Sequence, residues 1–405
     1  MLNPGSGFAF ARWACASGIA LVLVWRILVI GLDDLISTDP YPSLIADMMT
    51  SGDDLQKREK ELRKQIPLRP FDAKVYFELS KVLQSQRKTD EAKAAMEQAL
   101  RMDSSHPRIL LTASRFFLDS GDVERGLSTL QRSAELYPDD ETWKMLLSEL
   151  ESGRGRAFLD GARFEEKTWW PEFFRWACDK AANPEVLEAA YLARAVSGIL
   201  TDSERKCLVG RAQREGNWQR SRQLWITGLP NEQKPTDDGI FNGGFETPLS
   251  GIGFDWIVRP VDGVTSEALP SRGARGSKAL RVAFANKRYA DSPIYEYMML
   301  RPGRYTLSGA ARADRLETWL GVQWGMYCLS REGKLQRQLV RTRPFLGTTD
   351  WFEFQNPFAV PAECQVQMLR LELSNPQADA QTAGSVAARL RGAVWFDDLA
   401  VRPAN

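Results

Sequence analysis

Residues 73–106, AKVYFELSKVLQSQRKTDEAKAAMEQALRMDSSH, and residues 107–140, PRILLTASRFFLDSGDVERGLSTLQRSAELYPDD, superpose with a period of 34. Tyr76 falls on Leu110, Leu79 on Ala113, Leu83 on Phe117, Met96 on Leu130 and Met102 on Leu136. Apolar residues at intervals of three and four thus line one face of two short helices in each copy. Ala92 in the first copy and Gly126 in the second let the later helix close on the earlier one, and Gly121-Asp122 supplies a turn between them.

This pattern resembles the tetratricopeptide repeat family. Ala92, Ala99, Gly126 and Ser133 stand at its small positions, and Pro138 matches its proline after the second helix. Helical patterning begins at Leu55 and loosens after the two copies. Residues 141–150 start like another first helix, Gly153, Gly155 and Gly161 interrupt it, and EEKTWWPEFFRWACDKAA gathers Trp169, Trp170, Phe173, Phe174 and Trp176 around Pro171. Pairing resumes at Pro184. Gly216-Asn217-Trp218 repeats the turn of Gly121-Asp122 and puts Trp225 in the slot of Met96 and Leu130. Residues 55–230 therefore read as one tetratricopeptide-like helical repeat domain of about four to five units, with a concave protein-binding face. The aromatic cluster has two readings: core between repeats, or a docking patch for a protein partner built on Trp169, Trp170 and Phe173.

Ahead of the repeats, residues 13–32, WACASGIALVLVWRILVIGL, are apolar or small except for Arg26. That length matches the ~20 residues a helix needs to cross a bilayer. Arg26 lies six residues before the end of the run, within snorkelling reach of headgroups. Asp33-Asp34-Leu35-Ile36 follow, with nothing like an Ala-x-Ala cleavage site, which favours an uncleaved transmembrane signal anchor over a cleaved peptide or a buried helix. Arg12 precedes the run, whereas Asp33, Asp34, Asp39, Asp47, Asp53 and Asp54 follow it before Lys57. Residues 1–12 are then expected in the cytoplasm, 33–54 form a connector, and the bulk lies in the periplasm of a single-pass bacterial inner-membrane protein.

The chain has 405 residues, 43% hydrophobic and 26% charged, enough for two or three domains with cores. A formal net charge of +1 gives no general electrostatic reason to expect nucleic acid. Of five cysteines, Cys15 lies in the apolar run, while Cys178 and Cys207 fall in the helical region and Cys328 and Cys364 beyond it. Two disulfides and buried free thiols are both open readings.

Residues 231–239, including NEQKPTDD, form a polar linker, after which the periodicity changes. Strand character recurs over 277–285, 292–300, 303–313, 319–330, 335–341, 351–360, 366–374 and 392–401. Many short strands without a helical run imply a β-sandwich over residues 240–405. IFNGGFETPLSGIGFDWIV, LRPGRYTLSGAARA, TTDWFEFQNPFAVPAECQVQMLRLEL and AVWFDDLAV occur in the order of landmarks in a jelly roll of the carbohydrate-binding-module and galactose-binding-like type. The sequence resembles that superfamily. The resemblance implies a structural calcium near the first and last strands, with Glu246 and Asp397 or Asp398 as hard oxygen donors. It also implies glycan contact through aromatic platforms with polar neighbours. Trp319, Gln323 and Tyr327 share parity on one strand, with Arg312 nearby in sequence; Trp324 points the other way, and Trp256, Trp351 and Trp395 are expected in the core.

The inventory argues against catalysis. His106, the only histidine, sits at the junction between the two copies, where a loop residue is the default, and no Ser-His-Asp, Cys-His or histidine-rich metal centre can be built with it. No Gly-rich phosphate loop links a strand to a helix. The expectation is a non-catalytic, membrane-anchored periplasmic scaffold. Its helical repeats bind envelope protein partners and its sandwich binds polysaccharide, and the order of its parts resembles proteins of bacterial exopolysaccharide assembly or export. A carbohydrate-binding receptor with the helices as spacer is the alternative, and a glycan-active enzyme stands behind both.

Overall fold

Left-handed turns close the helical pairs. The protein is described from a computed structural model, covering residues 52–155, 167–198, 200–235, 237–272, 275–290, 292–375 and 387–404. Its helices are α1 (Gly52–Gln65), α2 (Ala73–Ser85), α3 (Thr89–Met102), α4 (Pro107–Asp119), α5 (Val123–Leu136), α6 (Asp140–Glu151), α7 (Trp170–Lys180), α8 (Pro184–Val196), α9 (Asp202–Arg214) and α10 (Trp218–Thr227). The starts of α2 and α4 lie 34 residues apart, as do those of α3 and α5. Between partners, the Asp122 N–H donates to the Phe117 carbonyl across Gly121 (φ 84°), and the Asn217 N–H to the Ala212 carbonyl across Gly216 (φ 70°). Lys88 donates to Leu83 in the same way across Arg87, which takes φ 62° without being glycine. A Cβ on Gly126 would lie 2.6 Å from Leu118 Cγ, so α5 needs a small residue to close on α4.

Among these residues no helix is long and apolar enough to cross a membrane; the longest have 14 residues. The expected fold class is corrected on that finding to a helical region followed by a two-sheet sandwich. The transmembrane signal anchor, the single-pass inner-membrane placement with a periplasmic bulk and the membrane-anchored scaffold are withdrawn with it. Residues 13–32 themselves lie outside the described residues.

The chain divides into two compact units at Leu146 and Leu147, within α6. In the first, Leu79, Leu83, Met96, Ile109 and Phe117 make the core of the two regular repeats. The second contains α7–α10 together with the sandwich. Trp169, Trp170 and Phe173 are buried there, packed edge-on and tilted against one another with centroids 5.6–6.0 Å apart. The Trp170 Nε1–H donates to Glu204 Oε1 at 2.7 Å, and the Arg194 guanidinium lies 2.6 Å from that oxygen. The Thr201 amide and hydroxyl hold Glu204 Oε2 in a capping box at the start of α9. The expected docking role of Trp169, Trp170 and Phe173 is corrected accordingly, because their surfaces are consumed between α7, α8 and α9. Cys178 and Cys207 form a disulfide from α7 to α9, and Arg211 donates to the Cys178 and Ala181 carbonyls at the end of α7.

The strands are β1 (Ile257–Val258), β2 (Val264–Pro270), β3 (Lys278–Tyr289), β4 (Ile294–Met298), β5 (Gly303–Glu317), β6 (Val322–Leu329), β7 (Leu335–Arg341), β8 (Gly347–Val360), β9 (Gln367–Leu373) and β10 (Ala388–Pro403). A first sheet runs β1-β4-β9-β6-β7 and a second β2-β3-β10-β5-β8, with antiparallel pairing throughout. Between them Trp324 of β6 packs on Trp256 at 5.5 Å and on Phe396 of β10 at 5.0 Å. Phe245 stacks behind Trp256 at 5.3 Å. The composition of Asn242-Gly243-Gly244-Phe245-Glu246 has local reasons. The Asn242 side chain braces Thr247. Gly243 lets the β10 backbone come so close that a Cβ would sit 1.9 Å from the Leu399 oxygen. A second disulfide, Cys328–Cys364, ties β6 to the segment before β9.

Two tryptophans seat α10 on the sandwich. The Trp218 indole N–H donates to the Arg331 carbonyl at 2.9 Å and its ring meets Tyr297 at 5.0 Å; Trp225 meets Phe241 at 5.0 Å and Phe254 at 5.6 Å. Beneath this contact the Phe241 N–H donates to Glu296 Oε1 at 2.7 Å, while Oε2 has no partner among the described residues. Burial pushes the Glu296 carboxyl well above the usual carboxylate range, against the stabilising Phe241 bond, and nearby Asp255 pushes it further. Burial also raises Asp255. A carboxyl raised on folding contributes stability that is full below its unfolded pKa, near 4.5 here, and is lost as pH rises through the folded value. Urea midpoints of the wild type should therefore fall from about pH 5 to pH 8 more steeply than those of Glu296→Gln. The glutamine keeps the acceptor for Phe241 but cannot ionise, so parallel slopes would contradict the assignment.

Candidate functional site

Because Val322, Trp324, Met326 and Cys328 point into the core, the pleat sends Gln323, Gly325 and Tyr327 to the outer face of the first sheet. On β9 the same rule buries Leu369, Leu371 and Leu373 and turns Arg370 and Glu372 outward. The register sets Gln323 beside Glu372 and Gly325 beside Arg370. Glu372 is the centre of this group. Its Oε1 accepts from the Tyr327 hydroxyl at 2.6 Å and from Gln323 Nε2 at 3.4 Å. Arg370 Nε lies 3.4 Å from Oε2, and Arg341 Nε lies 3.8 Å from Oε1. Gly325 makes the arrangement fit: a Cβ there would lie 2.6 Å from Glu372 Oε1 and 2.8 Å from the Tyr327 ring. Burial raises the Tyr327 hydroxyl above its ordinary pKa, and the Glu372 charge adds to the rise. The hydroxyl therefore remains a donor to the carboxylate.

Glu372 and Gln323 are each 3% exposed and Tyr327 is fully buried, so the group meets a ligand only at its margin. Half-buried Arg341 stands on that margin. At the end of the sheet where Gln323 lies, Trp319 is 74% exposed in the turn feeding β6. The expectation that Trp319 shares a strand with Gln323 and Tyr327 is corrected: Gly321 takes φ 80° and β6 begins at Val322. Arg312 is not part of this group. It lies on β5 of the second sheet, stacked on Trp395 and Trp351. Those two tryptophans, expected in the core, are half-buried on the outer face of that sheet, whereas Trp256 is in the core as expected.

Glu246 and Asp397 come close together, both reaching the 275–278 segment. Glu246 Oε1 accepts from the Ser277 and Lys278 amides at 2.7 and 3.0 Å, and Oε2 from the Ser277 hydroxyl at 2.6 Å. These donors hold its carboxyl below the ordinary range, the Ser277 side chain contributing most. Asp397 Oδ2 accepts from the Arg275 amide at 2.6 Å and Oδ1 from the Asp398 amide at 2.7 Å. Burial raises Asp397 despite these bonds, and the Arg275 side chain pairs with Asp398 and Glu353. Calcium takes six to eight oxygens. Here the carboxylate oxygens are occupied by N–H and O–H donors, and no group of three or more acidic, histidine or cysteine side chains is placed to hold a metal among the described residues. The residues do not fit a calcium cage.

A separate groove of about 490 Å³ runs between α8, α9 and α10, lined by Glu185, Glu188, Leu192, Arg211, Glu215 and Arg220. Glu188 and Arg220 pair across it.

Residues 83–150 match the tetratricopeptide repeat family. Solved structures similar to the chain include a CBM4 module, with 17% identity over 41% of this chain and 99% of that one and a TM-score of 0.30. A family 16 carbohydrate-binding module has 19% identity over 40% and 98%, with a TM-score of 0.27. The C-terminal family 22 carbohydrate-binding module of a Clostridium thermocellum xylanase has 11% identity over 42% and 98%, with a TM-score of 0.29. Among curated proteins none matches this sequence. The chain thus has a helical region that is tetratricopeptide-like over residues 83–150, followed by a C-terminal sandwich of two five-stranded sheets.

Because the Glu246 and Asp397 oxygens already accept from backbone amides and the Ser277 hydroxyl, neither added calcium nor a chelator should move the thermal midpoint. Differential scanning fluorimetry checks this, and a calcium-dependent rise would contradict the reading of Glu246 and Asp397 as loop braces.

Proposed function

We propose that the protein is a non-catalytic recognition protein whose sandwich binds a polysaccharide chain along the outer face of the first sheet. The observation that supports this most is the Glu372-centred group of Gln323, Tyr327, Arg370 and Arg341 on one sheet face, with exposed Trp319 at its end. A sugar needs an aromatic plane for its C–H face and fixed polar groups for its hydroxyls. Trp319 supplies the plane, and half-buried Arg341 presents the polar edge, with Glu372 beneath it. The groove between α8, α9 and α10 is assigned to a protein partner, in the setting of exopolysaccharide assembly or export.

Trp319→Ala is the clean variant, since that side chain supports no packing inside the sandwich. Titration calorimetry of the full chain against a panel of neutral and acidic polysaccharides should give a dissociation constant between micromolar and millimolar, about 4 to 8 kcal/mol. Trp319→Ala should weaken it roughly tenfold, or about 1.4 kcal/mol, with an unchanged melting curve, and Glu372→Gln should weaken it while lowering the melting midpoint, because Arg370 and Arg341 lose their buried counter-charge. Absence of binding across the panel, or wild-type affinity in both variants, would overturn the assignment. Proximity labelling from the full chain in its native cell should recover polysaccharide-assembly proteins; recovery of none would overturn the partner assignment.

A further inference from the structure

The opposite face of the sandwich carries a different device. Leu280, Val282, Val394, Phe396 and Ala311 fill the core from the second sheet, so the pleat turns Arg281, Trp395 and Arg312 outward. The register lines them up across the strands: Arg281 of β3 opposes Trp395 of β10, and Trp395 opposes Arg312 of β5. The Trp395 ring lies between two guanidinium groups, 5.7 Å from Arg281 and 4.9 Å from Arg312. Arg312 in turn lies 5.8 Å from the ring of Trp351 on β8. The Trp351 indole is fixed by donating to the Arg272 carbonyl at 3.2 Å. All four side chains are half-buried, leaving part of each in solvent.

Charge makes this row more than packing. Among the described residues no carboxylate pairs with Arg281 or Arg312. Glu267, the register partner of Arg281 on β2, forms no ion pair with it, and the other nearby acids are engaged elsewhere: Glu353 and Asp398 with Arg275, Asp314 with Arg315, and Glu317 with Arg391. Each guanidinium lies over an indole face, a contact that does not consume its N–H donors. Ala283 on β3 and Ala310 on β5, both partly exposed, flank the row at outward positions with small side chains. Arg281 and Arg312 stand two strands apart, roughly 10 Å, a spacing on the scale of a disaccharide. The full row from β3 to β8 covers about 14 Å.

We infer that this row is a second polysaccharide site, selective for chains bearing carboxylates: sugar rings pack against Trp351 and the exposed edge of Trp395, and uronate carboxylates take the open N–H donors of Arg281 and Arg312. It uses the sheet opposite the Glu372 group and stands or falls independently of it. Neutral glycans, which leave both arginines without a counter-charge, bind this face weakly.

The test is binding of the full chain to alginate oligosaccharides, with neutral xylo-oligosaccharides, single-stranded DNA and phosphatidylglycerol vesicles as comparators, at low and high salt. Alginate binding should weaken at least tenfold in Arg281→Gln/Arg312→Gln and lose most of its salt dependence, while Trp319→Ala leaves that salt dependence intact. On the wild type, bound alginate should protect Arg281 and Arg312 from phenylglyoxal, a readout that does not depend on how a variant folds. Alginate affinity unchanged in the double variant, modification of both arginines undiminished by alginate, or arginine-dependent binding of DNA or vesicles without alginate would each overturn the inference. If alginate binding vanishes with Trp319→Ala and is indifferent to the two arginines, the first face alone is the site.

Discussion

Trp324, wedged between Trp256 at 5.5 Å and Phe396 at 5.0 Å, is the contact on which the arrangement of the sandwich depends. It fixes the parity of β6, and Phe396 fixes that of β10. Because side chains alternate across a strand, a core position for one residue dictates an outer position for its neighbours. Trp324 inside means Gln323 and Tyr327 outside; Val394 and Phe396 inside mean Trp395 outside. The outer faces of both sheets therefore depend on one buried aromatic stack, and slipping either strand by one residue would exchange face for core.

The two faces differ in how their charges are used. On the first sheet Glu372 binds its neighbours into a closed set, with Tyr327 and Gln323 on one oxygen and arginines close by. A buried carboxylate demands this, because leaving it without partners costs several kcal/mol. On the second sheet Arg281 and Arg312 pair with no carboxylate among the described residues and lie over indole faces instead. The first face keeps its charge almost wholly buried, and the second leaves its guanidinium groups half-exposed. The 275–278 segment shows a third use of charge, with Glu246 and Asp397 bracing backbone amides.

Much of the helical region was legible because the 34-residue period appears as the spacing of helix starts. The turn at Arg87 was not, since a left-handed residue is sought as glycine and this copy closes with arginine. In the sandwich, alternation revealed most strands but missed β2, whose Val264-Thr265-Ser266-Glu267 is half polar and ends at Pro270. Gln323 and Tyr327 could be placed on one face by parity. Their partners Glu372, Arg370 and Arg341 could not, because they arrive from β9 and β7 through long-range pairing. Two local signals pointed to them: Gly325 in mid-strand, and the alternation of Leu369-Arg370-Leu371-Glu372-Leu373. Trp351 and Trp395 stand at scaffold landmarks of the jelly-roll resemblance, which points them inward, whereas the arginines beside them make an outer position favourable.

Hydrogen exchange of the full chain, with and without a polysaccharide it binds, tests the central claim most directly. Ligand should slow exchange in β6 and β9 and in the turn that carries Trp319. Protection confined to the helices, with β6 and β9 exchanging as in the free protein, would contradict it.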